Sequence, residues 1–148
     1  MKSIINREAR SKYEYLQSWE AGLVLSGDEA KSIKAGGMNL KGAYVSTENG
    51  ELWLQNAHVS PYQRMNLARG HDPERPRKLL LHRHQIDTIF GKLHEKGLTL
   101  IPEKVYSSAG LVKVQITLAK GLKKADKREK LKRRDLDRDS ARLLRQGH

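Results

Sequence analysis

The side chains that could do chemistry in this sequence are mostly cations. The 148 residues include 29 Lys and Arg against 17 Asp and Glu, which gives a formal net charge of +12. Ammonium and guanidinium groups bind phosphates, and an excess of this size in a short chain favours a polyanionic partner, most often nucleic acid. We therefore expect a surface that binds nucleic acid.

No residue constellation indicates catalysis or metal binding. His82 and His84 are two residues apart and His94 is ten further on, whereas a metal pair on a helix needs a spacing of three or four. We interpret the first two as an exposed pair at the start of a helix. Cysteine is absent and the carboxylates are interleaved with bases, so neither thiol chemistry nor an acidic nuclease centre is indicated. The sequence predicts no enzyme, no metal site and no cofactor.

The cations are concentrated towards the C-terminus. Residues 1–119 carry 17 basic and 12 acidic side chains, a net charge of +5, and residues 120–148 carry 12 and 5, a net charge of +7. The leucines of the second segment form no continuous helical stripe. We predict a folded domain of residues 1–119 and a basic tail of residues 120–148, disordered or a fraying helix alone and helical on a polyanion. A tail that serves only solubility is the alternative.

The elements that must position these groups are mainly strands. Apolar runs and alternations between turn residues predict strands at Tyr13–Leu25, Ala43–Thr47, Glu51–Gln55, Leu98–Ile101, Val105–Ser107 and Leu111–Ala119. Helices are predicted at Glu29–Ala35, after a cap at Ser26, and at about residues 83–96. The polar stretch His71–Lys78 is predicted to be a loop, and Pro102 to end a strand. This pattern predicts a mainly β fold, an OB-like Greek-key β-barrel with two or three flanking helices and a basic C-terminal tail.

The sequence gives no sign of a membrane segment. No run approaches the roughly 20 apolar residues of a membrane span. The N-terminal residues lack the apolar core of a signal peptide. We expect a cytoplasmic protein with no membrane partner.

Six short motifs occur in order along the chain. They are Asn6-Arg7-x-Ala9-Arg10, Glu20-Ala21-Gly22-Leu23, Gly27-x-Glu29-x-Lys31-Ser32, Asp72-Pro73-x-Arg75-x-Arg77-Lys78-Leu79-Leu80-Leu81, Lys96-Gly97 and Ala119-Lys120-Gly121-x-Lys123-Lys124-x-Asp126-Lys127-Arg128. Each motif is weak alone, but together they resemble the SmpB family, the tmRNA-binding (SsrA-binding) proteins of bacterial trans-translation. The resemblance covers essentially the whole chain.

The resemblance implies an OB-fold barrel that binds the tRNA-like domain of tmRNA and delivers it to ribosomes stalled without a downstream codon. The C-terminal tail would occupy the decoding centre and the empty mRNA channel of the small subunit, against ribosomal RNA. Elongation factor Tu and alanylated tmRNA would belong to the delivered complex. We expect the protein itself to be a monomer.

The resemblance also implies site residues. In the barrel, a patch facing RNA and its neighbouring phosphate contacts would comprise Asn6, Arg7, Arg10, Glu20, Lys31, Lys34, Lys78, Leu80, Lys113 and Lys120. In the tail, ribosome contacts would comprise Gly121, Lys123, Lys124, Asp126, Lys127, Arg128, Lys130, Lys132, Arg133 and Arg134. Ala125 stands where many members have histidine or another aromatic residue, and Leu136 stands where an aromatic residue is sometimes found. Charge and backbone contacts would therefore carry more of the binding there.

The residues alone also allow simpler roles. Glu20 fits a strand-edge charge paired with a neighbouring base, Leu80 fits core packing better than RNA binding, and Lys113 fits an ordinary outward-facing lysine. Two other functions remain as hypotheses. A basic OB-fold ribosomal or ribosome-assembly protein would bind ribosomal RNA stably and without tmRNA. A nuclease or RNA-modifying enzyme would lose its turnover of RNA when one carboxylate is changed.

Overall fold

The computed structural model describes residues 1–62 and 72–122. Within these ranges it contains three helices and nine strands. The helices are α1 (Arg7–Lys12), α2 (Gly27–Lys34) and α3 (Arg83–Leu93). The strands are β1 (Ile4–Ile5), β2 (Tyr13–Leu23), β3 (Met38–Asn39), β4 (Tyr44–Glu48), β5 (Glu51–Gln55), β6 (His58–Val59), β7 (Arg77–Leu80), β8 (Leu98–Ser108) and β9 (Leu111–Gly121).

Six of the strands form a closed antiparallel barrel. Around the ring the order is β8, β4, β5, β7, β2 and β9, and the pairing of β9 with β8 closes it. Strand β1 pairs with β8, and β3 pairs with β6 in a separate two-stranded sheet. The mainly β, OB-like barrel that the sequence predicts is confirmed. None of the helices in the described ranges is long and apolar enough to cross a membrane.

The interior of the barrel is filled by alternate residues of its strands. In the hairpin of β4 and β5, Leu52 and Leu54 are fully buried. Asn49 and Gly50 at its turn have φ angles of 51° and 74°, the left-handed conformation that a tight hairpin turn requires. Helix α3 buries Ile86 and Ile89, as their spacing predicts. The predicted hairpin and the apolar face of this helix are therefore confirmed.

Strand β7 begins inside the stretch that the sequence predicts to be a loop. Arg77 and Lys78 belong to this strand, which pairs with β5 on one side and with β2 on the other. The loop prediction is wrong at these two residues. Polar composition favours a loop in general, but here the Arg77 side chain is buried against a carboxylate on α2.

Strand β8 does not end at Pro102. It runs on to Ser108, so the two strands predicted at Leu98–Ile101 and Val105–Ser107 are one. The register with β9 shifts between Pro102 and Lys104. Proline is tolerated at such a bulge because the irregular pairing does not need its missing N–H.

The start of β2 and the end of β9 lie side by side. Helix α1, which no sequence pattern predicted, leads into β2, and β9 runs past Ala119 to Gly121, opposite Tyr13. The Leu122 N–H then donates to the Lys12 carbonyl oxygen at 2.9 Å. Lys120 and Gly121 are thus part of a barrel strand. The division of the chain into a domain and a tail remains a prediction.

Candidate nucleic-acid interface

A groove on the outside of the barrel brings together three residues predicted to face RNA. Gly22 of β2 is paired with Leu80 of β7 on one side and with Lys113 of β9 on the other. Glu20 lies two residues before Gly22 and therefore on the same face of β2. The groove has a volume of about 500 Å³. Its lining consists of Glu20, Gly22, Leu80, Leu81, His82, Gln85 and Lys113.

Leu80 is a surface residue. Its exposed fraction is 51%, whereas Leu79 beside it is fully buried inside the barrel. The core role favoured for Leu80 by its residue type is therefore wrong, because only one face of β7 points inward. A Cβ at Gly22 would lie 3.3 Å from the Leu80 Cβ, so the glycine lets Leu80 lie close against β2. Leu80 thus lies exposed in the groove beside Glu20 and Lys113.

Glu20 is held by a tyrosine. The Tyr106 hydroxyl donates to Glu20 Oε2, and burial, together with this carboxylate, raises the pKa of Tyr106 to about 12. Tyr106 is paired with Lys113 across β8 and β9, and the Lys104 Nζ lies 5.7 Å from the centre of its ring. Among the described residues, Glu20 is thus bonded to a neutral hydroxyl group, and not to a basic side chain as its residue type suggested. Lys113 faces outward, as expected.

Three further predicted phosphate contacts lie on α2 and β7. Lys31 and Lys34 are exposed on α2. The Lys34 Nζ donates to the Gly110 carbonyl oxygen at 2.8 Å, which brings it to the turn between β8 and β9. Lys78 is half-buried on β7, opposite Trp53. Like Leu80, it lies on the outer face of its strand.

The remaining predicted residues lie at the other end of β9. Arg7 and Arg10 are exposed on α1, and Lys120 is exposed on β9. Lys120 follows Lys113 by seven positions on β9, which corresponds to roughly 23 Å along an extended strand. The structure therefore does not bring these three cations into the groove of Glu20 and Leu80.

Asn6 is buried and engaged at both ends of its side chain. Its Oδ1 accepts from the Ala9 N–H at 3.3 Å, and its Nδ2 donates to the Pro102 carbonyl oxygen at 2.9 Å. Its own N–H donates to the Glu103 carbonyl oxygen. Asn6 thus caps α1 and ties it to the bulge of β8. Arg7 and Arg10 lie on the helix that Asn6 caps, and the RNA contact expected of Asn6 remains a prediction.

A buried ionic cluster that no sequence pattern predicted joins α2 to β7. Arg77 is fully buried and Glu29 is 3% exposed. Arg77 donates through Nε to Glu29 Oε2 at 2.7 Å and through its two terminal nitrogens to the Ala57 and Pro73 carbonyl oxygens. Arg75 donates to the other Glu29 oxygen, Oε1. The cluster fixes the helix of Lys31 and Lys34 to the strand of Lys78 and Leu80.

The ionised form of Glu29 is strongly favoured. Burial disfavours the charge, but hydrogen bonds from the Ser26 N–H, Arg75 and Arg77 outweigh it and lower the pKa of Glu29 to about 2. A sequence signal for this cluster existed, because all three side chains lie in the motifs of the family resemblance. Nothing in the spacing showed that they contact one another.

His82 and His84 lie at the start of α3 with their rings stacked, 5.7 Å between centres. Among residues 1–62 and 72–122, no three His, Cys, Asp or Glu side chains are grouped so as to hold a metal ion.

The tail residues predicted to bind the ribosome lie outside the described residues, except Gly121 in β9. Those outside are Lys123, Lys124, Asp126, Lys127, Arg128, Lys130, Lys132, Arg133 and Arg134.

Comparison with known proteins identifies relatives over nearly the whole chain. The family model described as "SmpB protein" matches residues 3–146. The SsrA-binding protein of Desulforudis audaxviator (strain MP104C) is 51% identical over 140 residues, 95% of this chain and 91% of the relative. That of Gloeothece citriformis (strain PCC 7424) is 52% identical over 139 residues, 94% of this chain and 90% of the relative.

A solved structure is similar as well. It is described as "tmRNA-SmpB: a journey to the center of the bacterial ribosome" and superposes with a TM-score of 0.68 at 42% identity. The match covers 86% of this chain and 92% of the other. The family model and the relatives match nearly the full length of the chain, and the chain therefore belongs to the SmpB family.

Proposed function

We propose that this protein binds the tRNA-like domain of tmRNA through the groove between β2, β7 and β9, and delivers it to stalled ribosomes in trans-translation. The observation that carries the proposal is the convergence of Glu20, Leu80 and Lys113 around Gly22. These side chains come from three strands that are distant in sequence. The relatives named SsrA-binding protein support the same partner.

The groove offers the three kinds of contact that a folded RNA needs. Lys113 supplies a cation for a phosphate, Leu80 an apolar surface for an unstacked base or a ribose, and Glu20 an acceptor for an amino or hydroxyl donor. Lys78 and the α2 lysines Lys31 and Lys34 supply further cations on neighbouring elements. Phosphate contacts set the affinity, and the acceptor adds discrimination among RNAs.

The second half of the proposal concerns the basic tail. We infer that residues 123–148 probe the decoding centre and the empty mRNA channel of the small subunit, where Lys and Arg meet phosphates of ribosomal RNA. Message in the channel would exclude the tail, so its entry reports that message is missing. Arg7, Arg10 and Lys120 lie at the end of the barrel from which the tail departs and would extend the same basic surface.

The delivered complex would contain one copy of this protein, alanylated tmRNA and elongation factor Tu, in the cytoplasm where ribosomes work. The barrel would hold the RNA throughout delivery. The tail would act only once the complex has reached the ribosome. Binding and rescue are therefore separable steps that different parts of the chain perform.

Truncation after Leu122 tests the division of labour. The cut preserves β9 and the hydrogen bond from Leu122 to Lys12. The truncated protein is expected to bind the tRNA-like domain with nearly the affinity of the full chain and to fail in tagging on ribosomes stalled on a message without a stop codon. Equal loss of binding and tagging would contradict the proposal.

A second measurement identifies the RNA partner directly. RNA that copurifies with the full chain is sequenced after washing at moderate salt, and tmRNA is expected to be enriched over ribosomal RNA. Enrichment of ribosomal RNA alone would favour a stable ribosomal or ribosome-assembly protein instead.

A further inference from the structure

We propose that Tyr106 is a specificity-determining residue of this groove, which acts by fixing the Glu20 carboxylate in place to accept a hydrogen bond from the RNA. The inference rests on the proposed function, because it concerns how the same groove recognises its RNA. Tyr106 is not among the residues that the family motifs single out, and it does not line the groove.

The hydrogen bond between Tyr106 and Glu20 joins two strands that lie on either side of β9. Tyr106 lies on β8 and Glu20 on β2, and β9 separates the two strands. The hydroxyl of Tyr106 therefore reaches across β9 to donate to Glu20 Oε2. Within the described residues this is the only hydrogen bond to the Glu20 side chain, so the other oxygen, Oε1, keeps its capacity to accept.

Fixing the carboxylate matters because Glu20 is exposed. A free glutamate side chain samples several rotamers, and ordering it on binding costs conformational entropy. A carboxylate that is already oriented by a hydroxyl group meets less of this cost. It also discriminates better, because an acceptor in one position rejects an RNA that offers no donor there.

The position of Tyr106 is itself fixed. Its ring is half-buried, it is paired with Lys113 across the sheet, and the Lys104 Nζ lies 5.7 Å from the centre of the ring. Burial and the Glu20 carboxylate raise the pKa of its hydroxyl to about 12. Tyr106 therefore keeps its proton at neutral pH and can donate it to Glu20.

The substitution Tyr106→Phe removes the hydroxyl and keeps the ring with its contact to Lys104. The probe is the transcribed tRNA-like domain of tmRNA, compared with an RNA duplex of equal length, and the protein is the full chain. Loss of a hydrogen bond that orients a charged group is expected to weaken binding of the tRNA-like domain about tenfold. Binding of the duplex is expected to stay unchanged.

Two further readouts distinguish positioning from a merely structural role. The slope of affinity against salt is expected to stay the same in Tyr106→Phe, because no phosphate contact is lost. In the Glu20→Ala background, Tyr106→Phe is expected to cause little further loss, because the carboxylate that it orients is absent. If the role of Tyr106 were merely structural, Tyr106→Phe would instead lower Tm and weaken the binding of both RNAs equally.

Tyr44→Phe is the matched control. Tyr44 is an exposed tyrosine on β4, outside the groove, and its substitution is expected to change neither affinity. Unchanged affinity in Tyr106→Phe, or losses that simply add in the double variant, would overturn the inference and leave the proposed function standing. A full-length protein that bound the duplex as well as the tRNA-like domain would overturn both.

Discussion

The stability of the protein should depend strongly on the buried cluster of Glu29, Arg75 and Arg77. Replacing the Glu29 carboxylate by an amide would leave the buried charge of Arg77 without its partner. In Glu29→Gln the shape of the side chain is kept and its charge is lost. Arg77 is fully buried, and its guanidinium would then face only carbonyl oxygens and a neutral amide. We expect a large loss of stability at neutral pH.

The magnitude follows from two independent estimates. Removing one partner of a buried ion pair costs about 3 to 5 kcal/mol. The pKa of Glu29 falls from 4.5 to about 2 on folding, and at about 1.4 kcal/mol per pKa unit this corresponds to about 3 kcal/mol. We therefore expect Glu29→Gln to lower the free energy of unfolding by about 3 kcal/mol.

The loss also has a defined pH dependence. Because folding lowers the pKa, the contribution of Glu29 is fully present above pH 4.5 and is lost as the pH falls towards 2. The difference in stability between the original chain and Glu29→Gln should therefore shrink across that window. Urea unfolding, followed by circular dichroism at several pH values, measures it.

Asp87→Asn is the matched control for this experiment. It also removes one carboxylate from an arginine, but the Arg83–Asp87 pair is exposed on both sides, so the expected change is below about 1 kcal/mol. If Glu29→Gln were as mild as Asp87→Asn, or if its effect did not change between pH 5 and the acid limit of folding, the account of the cluster would be wrong.

Two further predictions concern the groove and a tight turn. Affinity for the tRNA-like domain should fall steeply with salt, and Lys113→Gln should reduce the slope by about one phosphate contact; a flat response in a filter-binding titration would argue against recognition through phosphates. Gly37→Ala should destabilise the barrel by about 1 to 3 kcal/mol, because the new Cβ would lie 2.9 Å from the Ser32 carbonyl oxygen. Gly91→Ala, which meets nothing within 4 Å, should be neutral or stabilising, and equal Tm shifts for the two variants would refute the steric argument.

Local sequence signals predicted the elements that local interactions determine. The Asn49-Gly50 turn and the alternation around Leu52 and Leu54 depend on neighbours in sequence, and the structure has both. The errors at Arg77 and Pro102 have a different origin. Arg77 enters a strand because a carboxylate 48 residues away neutralises it, and Pro102 stays in a strand because the register with β9 shifts beside it. No window of a few residues contains either partner.

The candidate site shows the same division between local and distant information. Residue type alone favoured the core for Leu80, because a run of three leucines in the sequence does not reveal which of them points outward. Only the pairing of β7 with β2, at Gly22, decides that Leu80 lies in the groove. The contribution of Tyr106 to the groove could not be predicted from the sequence at all, since its hydrogen bond to Glu20 joins residues 86 positions apart.

The motifs of the family resemblance also contain residues that hold the fold together. Asn6 caps a helix, and Glu29, Arg75 and Arg77 form the cluster that joins α2 to β7. Glu20 and Leu80 lie in the same motifs and are exposed in the groove. Because the cluster holds both elements that carry cations around the groove, its loss should weaken RNA binding indirectly, through misplacement of Leu80 and the α2 lysines. A variant of Glu29 that binds RNA poorly would thus be no sign that Glu29 touches RNA, and stability must be measured beside affinity for every motif residue.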